Sequence, residues 1–386
     1  MRRLTAIATS VMMTLTLISS VSAASTLAPP SKVTSTAGPG YYLVTWSKVP
    51  GIGVTYTVTG GARAATCVVV DATTCHLPAI STAPVRFRVT ASRGSVVSQP
   101  SAPSSTLTTR LVLLVAGQSN AMGAESYAID PTTKNNYFKA PYVNGADRLS
   151  TITWNISLVL DTPNGTFAPL TTPQRLVSVS GLRQIFGPEI SLARRLYESG
   201  VESVGVMKVA FAGTSLANDW SPTSGKLYGA MIRFVHDQMR RDAASGVVDV
   251  LGAAYWFQGE SDSVDAAMAH EYQKNLFAFI PALRLDLPFT PRAPVVLVKE
   301  SMASHITYRF KSGTCGEIGG CSVASARDAL IRSADDIAAT MLPNVLTVDS
   351  QGLSRMTVGI HLSNSAELAI GSLMARVTED YLHRLR

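Results

Sequence analysis

The sequence predicts an α/β protein: a three-layer α/β/α domain on a parallel sheet, preceded by an all-β sandwich. In residues 110–386 short apolar runs alternate with amphipathic stretches, which is the pattern of a parallel sheet covered by helices on both faces. In residues 24–109 apolar and polar residues alternate in short segments separated by Gly-, Pro- and Ser-rich turns, as in a β-sandwich. Residues 1–23 form a separate leading segment.

Residues 1–23 have the pattern of a secretory signal peptide. Arg2 and Arg3 form a basic start, Leu4–Ser20 is mainly apolar, and Val21-Ser22-Ala23 offers small residues for cleavage. Thr and Ser interrupt the apolar stretch and no stop-transfer pattern follows, which argues against a membrane span. We therefore expect a secreted protein, extracellular or periplasmic, with no membrane span in its mature chain.

The charge balance is mildly basic. The formal net charge of +7 falls to +5 without residues 1–23, because that segment contains two arginines and no acidic residue. No dense run of Lys and Arg occurs in the chain. We therefore expect no nucleic-acid partner.

The four cysteines fall into two close pairs, each within one predicted loop or hairpin. Because export permits disulfides, we predict the pairs Cys67–Cys75 and Cys315–Cys321. The spacing is not that of paired CxxC metal sites, and no histidine pair lies nearby at ligand spacing. We therefore expect neither a metal nor a cofactor.

The predicted sandwich has short alternating strands between two segments of linker-like composition, 24–33 and 99–109. Its clearest strands are Tyr42–Trp46, Val54–Val58 and Val85–Val89. The order of these strands, with an early tryptophan, resembles a fibronectin type III domain. We expect the Trp46 side chain to lie in the core of this domain.

The second domain alternates strands and helices along the chain. We predict strands at Leu111–Ala116, Val204–Ala212, Val248–Phe257, Val295–Val298 and Val345–Val348. We predict helices from Pro188, over Leu227–Arg241, Val264–Leu285 and Val323–Ala339, and from Asn364 to the end. Lys208 interrupts an apolar strand, and we expect its ammonium group to reach solvent at a sheet edge.

Polar blocks end three of the strands and begin the last helix. They are Gly117-Gln118-Ser119-Asn120, Ala212-Gly213-Thr214-Ser215, Gln258-Gly259-Glu260-Ser261-Asp262 and Gly359-Ile360-His361-Leu362-Ser363. The carboxyl ends of parallel strands meet at one edge of the sheet, so we expect these blocks to converge. Ester hydrolysis needs a hydroxyl, a base, an acid that orients the base, and N–H donors for the oxyanion. The blocks contain a candidate for each.

These blocks resemble those of the SGNH hydrolase superfamily, and within it the carbohydrate acetylesterases that include sialate O-acetylesterases and the sixth carbohydrate-esterase family of acetylxylan esterases. The matching segments are GQSNAMG (117–123), FGPE (186–189), AGTSL (212–216), WFQGESD (256–262) and GIHLS (359–363). The resemblance spans residues 110–386 and implies an SGNH-type, flavodoxin-like sheet. Its implied substrate, and hence partner, is an O-acetylated poly- or oligosaccharide.

The resemblance also implies roles for individual residues. Ser119 matches the nucleophile, and His361 matches the general base that later protonates the leaving hydroxyl. The backbone N–H groups of Ser119 and Gly213 match the oxyanion hole. The superfamily's third block adds an Asn side chain as donor, and Gln258 is its nearest substitute here.

The acid that orients the histidine is left with alternatives. Many superfamily members place Asp three residues before the histidine, where this chain has Val358. The sixth-family enzymes use the glutamate of the QGE block, which corresponds to Glu260. Asp349, at the end of the fifth strand, and Asp262 are the other candidates.

Further residues are candidates for binding substrate. Asn120 is one, although its side chain can also simply hold the turn. Asp219 and Trp220 line the acyl pocket or only pack. We expect the polar region 125–187 to shape the substrate cleft, with Tyr142 or Trp154 as a platform for a sugar ring.

The predicted function is that of a secreted serine esterase that hydrolyses O-acetyl groups on carbohydrate. The α/β-hydrolase lipases are a poor match, since their G-x-S-x-G elbow needs glycine where this chain has Ala121. A second hypothesis is a non-catalytic carbohydrate-binding or adhesive protein with a degenerate esterase fold. The β module and the missing Asp at position 358 favour that alternative.

Overall fold

The structure is a computed structural model that describes most of the chain. The residues it describes are 26–60, 65–124, 126–127, 129–130, 133–137, 148–155, 159–160, 168–169, 174–178, 181–201, 204–301, 321–355 and 361–385. The predicted signal peptide, Tyr142 and Cys315 lie outside these residues. The proposed Cys315–Cys321 disulfide therefore remains a prediction.

Strands and helices follow one another along the chain much as the sequence predicts. The strands are β1 (Ser31–Gly38), β2 (Tyr41–Ser47), β3 (Thr55–Gly60), β4 (Ala65–Val70), β5 (Thr74–Pro78), β6 (Phe87–Arg93), β7 (Val96–Val97), β8 (Thr108–Gly117), β9 (Arg148–Asn155), β10 (Val159–Leu160), β11 (Ala168–Pro169), β12 (Gln174–Ser178), β13 (Gly181–Ile185), β14 (Val204–Ala212), β15 (Val247–Phe257), β16 (Val295–Lys299) and β17 (Val345–Asp349). The helices are α1 (Ser119–Met122), α2 (Glu189–Glu198), α3 (Lys226–Ala244), α4 (Glu260–Val264), α5 (Ala266–Asp286), α6 (Cys321–Met341) and α7 (Asn364–His383).

The N-terminal module consists of two antiparallel sheets. Strands β1, β2 and β5 form one sheet, and β4, β3, β6 and β7 form the other. Successive side chains of a strand face opposite sides, so alternate residues enter the core, among them Trp46, Tyr56 and Phe87. The rings of Trp46 and Tyr56 pack 5.4 Å apart between centroids. The predicted sandwich, and the place of Trp46 in its core, are confirmed.

A disulfide joins the two sheets of this module. Cys67 on β4 is bonded to Cys75 on β5, with the two Cα atoms 6.5 Å apart. Strands β4 and β5 belong to different sheets. The predicted pairing is confirmed, and it ties the two layers together near their edges.

The segment after β7 is part of the sandwich and not the linker that its composition predicts. Three serines at every third position are buried there: Ser98, Ser101 and Ser104. Each bonds β6 twice; the Val89 N–H donates to Ser101 Oγ (3.0 Å), and the Ser101 N–H donates to Val89 O (2.9 Å). The prediction that 99–109 is a linker is therefore wrong. In this proline-containing segment the serine hydroxyls accept the β6 N–H groups that the carbonyls of a regular neighbouring strand would accept.

The second domain is built on a seven-stranded sheet of order β11-β9-β14-β8-β15-β16-β17. Strands β9 to β17 in this order are mutually parallel, and β11 pairs antiparallel with β9. The five strands predicted from apolar runs are β8, β14, β15, β16 and β17. Their spatial order is 2-1-3-4-5, the flavodoxin-like order, which confirms the predicted fold class.

Strand β9 is a parallel strand that the sequence analysis does not predict. It lies within the polar region 125–187 and pairs with β14 along its whole length. Its sequence, RLSTITWN, has no continuous apolar run. A parallel strand second from the edge of a sheet does not need a continuous apolar run. The apolar-run pattern that predicts the other strands therefore misses β9.

Helices cover both faces of this sheet, as predicted. Helices α2 and α7 pack on one face around residues such as Leu196 and Ile370. Helices α3, α5 and α6 pack on the other face around residues such as Phe234, Phe279 and Ile331. Within the described ranges, no helix has both the length and the apolar character needed to cross a bilayer.

The two modules share buried residues. Val248 and Val250, near the start of β15, belong to the same buried cluster as Tyr42 and Phe87 of the sandwich. Both valines are 0% exposed. The Leu385 carbonyl, just after α7, also accepts the N–H of the sandwich residue Thr82 (2.8 Å). The sandwich is therefore packed against the amino end of the central strands, at the opposite edge from the polar blocks.

Candidate active site

Ser119 lies in a sharp turn directly after the central strand β8. Gly117 ends the strand with φ of 142°, and the Gln118 N–H donates to Phe257 O (3.0 Å). Ser119 begins the one-turn helix α1, which ends at Gly123 with φ of 84°. Because β8 lies between β14 and β15, the turn stands at the switch point of the sheet, where α/β proteins bind ligands.

Gly117 is required by the close approach of β15. A Cβ at this position would lie 2.0 Å from Phe257 O. We expect Gly117→Ala to lower the free energy of unfolding by about 3 kcal/mol or more, because it adds a backbone collision to an unfavourable φ. The matched control is Gly246→Ala, which has φ of 82° and no atom within 4 Å of the added carbon; it should cost only about 1 kcal/mol. Denaturant unfolding measures both, and equal losses would contradict the explanation.

Asn120 connects the Ser119 turn to the two other blocks. Its Nδ2 donates to Glu260 Oε1 (2.6 Å), and its Oδ1 accepts the Leu362 N–H (3.0 Å). Asn120 and Glu260 are each 1% exposed. The side chain next to Ser119 therefore bonds Glu260 directly and holds the backbone of the residue that follows His361.

His361 is half-buried and lies just before α7. Its neighbour Leu362 pairs with Arg355, and Ser126 Oγ donates to Leu362 O (3.4 Å). Segments far apart in sequence are thus brought together at one edge of the sheet, as predicted. The segments that carry Ser119, Glu260 and His361 therefore meet at this edge; the roles assigned to these residues remain predictions.

Buried carboxyl groups lie behind Glu260. The Glu300 carboxyl carbon would be 3.6 Å from a Cβ at Gly259, and burial, with the nearby Glu260 charge, raises the pKa of Glu300 well above its usual range. Burial also raises the pKa of Asp328 to about 7. Burial lowers the pKa of Arg355, and Glu260 is the carboxylate that most opposes that effect. Across the described residues, no three His, Cys, Asp or Glu side chains are placed to hold a metal ion.

Gln258 has its amide hydrogens committed within the protein. Its Nε2 lies 2.7 Å from Asp262 Oδ2, 3.0 Å from Thr214 O and 3.2 Å from Gln118 Oε1. Two hydrogens facing three acceptors leave none for a substrate oxygen. The predicted oxyanion contact by Gln258 is therefore not supported, and the side chain instead joins the ends of β8, β14 and β15.

Asp262 holds the loop after β14. Its two oxygens accept the N–H groups of Leu216 (2.8 Å) and Ala217 (3.1 Å) as well as the Gln258 amide. Its side chain is 0% exposed, and burial raises its pKa to about 6. With both oxygens used in this way, Asp262 supports the Gly213 loop and does not reach toward His361.

The raised pKa of Asp262 predicts a pH dependence of stability. The folded-state pKa of about 6 exceeds the ordinary value of 3.8, so the stabilising contribution is complete below pH 3.8 and is lost as pH rises through 6. We expect the stability of wild type relative to Asp262→Asn to fall by about 2 kcal/mol between pH 4 and pH 7. Denaturant unfolding at both pH values measures this. A pH-independent difference would contradict it.

Gly213 follows β14 with φ of 71° and is exposed. The next residue, Thr214, is buried; its Oγ1 donates to Phe211 O (2.7 Å) and accepts the Trp220 Nε1–H (2.9 Å). The buried Thr214 side chain therefore fixes the turn, while Gly213 itself is exposed to solvent. This arrangement leaves the predicted role of its N–H group available.

The Asp349 carboxylate bonds partners other than the residues of the Ser119 turn. Its carboxylate forms a two-point ion pair with Arg332, with contacts of 2.9 and 2.6 Å, and accepts the Gln351 N–H (2.8 Å). The Arg332 guanidinium and the Gln351 N–H lower the pKa of Asp349 in spite of its partial burial. Of the three candidate acids, Glu260 alone bonds the residue beside Ser119.

Some of the predicted substrate-binding residues lie at the polar edge of the sheet, and others are part of the core or of a turn. Trp220 is fully buried against Trp256, 5.2 Å between centroids, so it packs in the core and does not line a pocket. Asp219 accepts the Ser215 N–H (2.8 Å) and stabilises that turn. Trp154 lies near the end of β9, in register with Phe211 at the same edge of the sheet. Asn120 has the bridging position described above.

Sequence reasoning missed two parts of this site. It treated Asn120 as a turn former and substrate contact, although its two bonds span the site. It also missed Glu300, which directly follows β16 just as the other polar blocks follow their strands. The same strand-end signal would have found Glu300.

Comparison with known proteins identifies relatives of the second domain. Residues 109–380 match the family described as "Carbohydrate esterase, sialic acid-specific acetylesterase". A probable carbohydrate esterase from Arabidopsis thaliana is 26% identical over 193 residues, which are 49% of this chain and 62% of that protein. The match thus spans less than two thirds of the length of the Arabidopsis protein.

Solved structures resemble both modules. A carbohydrate acetylesterase from Xanthomonas citri has 15% identity and a TM-score of 0.46, covering 89% of this chain and 71% of its own. An Fn3-like protein from Clostridium thermocellum has 19% identity and a TM-score of 0.19, covering 21% of this chain and 91% of its own.

Proposed function

The chain belongs to the carbohydrate esterase family of sialic acid-specific acetylesterases, and we propose that it hydrolyses O-acetyl esters of carbohydrates by a serine mechanism. The observation that carries this proposal is the Asn120 bridge. One side chain, adjacent to Ser119, bonds both Glu260 and the residue after His361. The segments that carry the proposed nucleophile, base and carboxylate are joined by this side chain at one edge of the sheet, which supports acyl transfer by these groups.

In the proposed reaction the Ser119 hydroxyl attacks the acetyl carbonyl carbon. His361 takes the hydroxyl proton, and Glu260 stabilises the imidazolium that forms. The carbonyl oxygen becomes an oxyanion, for which the N–H groups of Ser119 and Gly213 are the proposed donors. The tetrahedral intermediate collapses to an acetyl-serine as His361 gives its proton to the departing sugar hydroxyl.

The second half of the reaction uses the same groups. Water loses a proton to His361 and adds to the acetyl-serine carbonyl. The resulting intermediate expels the Ser119 oxygen, which recovers a proton from His361 as acetate leaves. Each cycle consumes one ester and one water and releases one acetate, one proton and one sugar alcohol, so it needs no cofactor.

We also propose that the protein is secreted. The pattern of residues 1–23 supports this, as does the Cys67–Cys75 disulfide, since disulfides persist in oxidising compartments. The proposed partner is an O-acetylated poly- or oligosaccharide. Acetylated xylan and O-acetylated sialic acid are the two candidate substrates to compare.

Acetate release from a panel of acetylated glycans tests the function. Purified protein is incubated with acetylxylan, O-acetyl sialosides and p-nitrophenyl acetate, and acetate is quantified enzymatically. We expect turnover of at least one glycan. Retention on a glycan column without release of acetate from any substrate would instead support the non-catalytic binding protein.

A further inference from the structure

Lys208 is a buried cation in the interior of the sheet. It lies in the middle of β14, between β9 and β8, and is 0% exposed, so the expectation that its ammonium reaches solvent is wrong. Its Nζ donates to Glu189 Oε2 (2.8 Å) and to Met122 O (2.8 Å). Burial lowers the pKa of Lys208, and the Glu189 carboxylate opposes that effect.

One of these contacts connects Lys208 to the Ser119 helix, and the other connects it to α2. Met122 is the last residue of α1, which begins at Ser119. Glu189 begins α2, and its other oxygen accepts the Gly187 N–H (3.0 Å). A Cβ at Gly187 would lie 2.9 Å from both Lys208 Nζ and Glu189 Oε2, so this glycine covers the ion pair closely.

A third ionisable side chain belongs to the same cluster. Glu367, in the first turn of α7, is 0% exposed, and its carboxyl oxygens have no hydrogen-bond partner among the described residues. Burial raises the pKa of Glu367 well above its usual range, against the opposing effect of the Lys208 charge. Burial thus favours the protonated form of Glu367 over a second carboxylate charge beside the Lys208–Glu189 ion pair.

A single helical turn needs support from outside. Helix α1 has four residues, and an isolated turn of this length is unstable because nucleation costs more than one hydrogen bond returns. The last carbonyls of a helix have no partner within it, and a charged donor gives the strongest hydrogen bond available to them. Lys208 supplies such a donor to α1 at its end opposite Ser119.

We propose that Lys208 is a positioning residue for the esterase reaction: its bond to Met122 O fixes the helix that carries the Ser119 hydroxyl. This role rests on the proposed function. A nucleophile displaced by a fraction of an ångström still binds substrate but reacts slowly, because near-attack geometry is lost. Removing the bond should therefore lower kcat and leave KM nearly unchanged.

The double variant Lys208→Met with Glu189→Gln tests this role. Methionine fills the space of the lysine without donating, and glutamine keeps the acceptor for the Gly187 N–H without leaving a buried charge. We expect a cooperative thermal transition, kcat for p-nitrophenyl acetate at least tenfold below wild type, and KM within twofold. If the first variant does not fold, Lys208→Leu with Glu189→Gln also removes the donor, and the same loss of kcat with KM within twofold is expected.

The control is a partly buried ion cluster at the other edge of the sheet. Arg110 contacts Asp249 at 2.6 Å and Asp242 at 2.7 Å, and Arg110→Met with Asp249→Asn and Asp242→Asn removes the cation together with both carboxylate charges. Wild-type kcat in a folded Lys208 variant, or an equal loss in the Arg110 variant, would overturn the positioning role alone. A wild-type protein that releases no acetate would overturn the proposed function, and this role with it.

Discussion

Ser119→Ala is expected to lower kcat for acetate release by about 10⁴-fold or more. Without the hydroxyl no acetyl-serine forms, and only the residual effect of the oxyanion donors and of binding remains. KM should change little, because alanine removes only one oxygen from a buried turn. Steady-state kinetics with p-nitrophenyl acetate measure both constants.

The control for this variant is Ser372→Ala. Ser372 lies on α7, where its Oγ donates to Leu368 O (2.9 Å), so the substitution removes the same atom away from the site. Its kcat should remain within twofold of wild type. A Ser119→Ala protein that keeps more than a tenth of the wild-type kcat would show that another nucleophile carries the reaction.

Glu260→Gln is expected to lower kcat by about 10³- to 10⁴-fold. Glutamine has the shape of glutamate and retains an acceptor for Asn120, but it has no charge with which to stabilise the imidazolium. The effect belongs to chemistry, so KM should stay near its wild-type value. The measurement is kcat across pH 5 to 9, at protein concentrations checked by active-site titration.

Asp349→Asn is the matched comparison for Glu260→Gln. Both substitutions neutralise a carboxylate at the same edge of the sheet, but Asp349 is already bound to Arg332 and to the Gln351 N–H. We expect kcat of the Asp349 variant within twofold of wild type. If Asp349→Asn were the damaging substitution and Glu260→Gln the mild one, the orienting role would pass to Asp349.

Strands β8, β14, β15 and β16 were predictable because burial on both faces leaves a continuous apolar run, and this signal is local. The edge strand β17 was predicted from a shorter run of the same kind. Strand β14 was predicted with the bounds that the structure shows, Val204–Ala212. Strand β9 was not predictable in this way, because its mixed sequence gains its place from pairing with β14. The segment that contains Ser98, Ser101 and Ser104 was wrongly predicted to be a linker for a related reason. The serine hydroxyls accept N–H groups of β6, and this pairing is not visible in the local sequence.

The sequence predicted which segments converge at the site, but not which side chains form hydrogen bonds with one another. Strand order alone brings the ends of β8, β14 and β15 together, so the convergence of the Ser119 and Glu260 blocks followed from topology. Which side chain bonds which depends on distances that spacing along the chain does not encode. Asn120 and Gln258 are both amides beside the site, and the structure gives one a bridging role and commits the other to the loop behind it.

Two valines near the start of β15 determine when the sandwich can complete its core during synthesis of the chain. The sandwich is made first, yet Val248 and Val250, which complete its buried cluster, follow its last strands by more than a hundred residues. A ribosome-bound chain therefore carries a first module with an open side until β15 of the second module has been made. Closing such a long-range contact is slow. A chaperone that holds unfinished chains would find its binding surface on that open side during the delay.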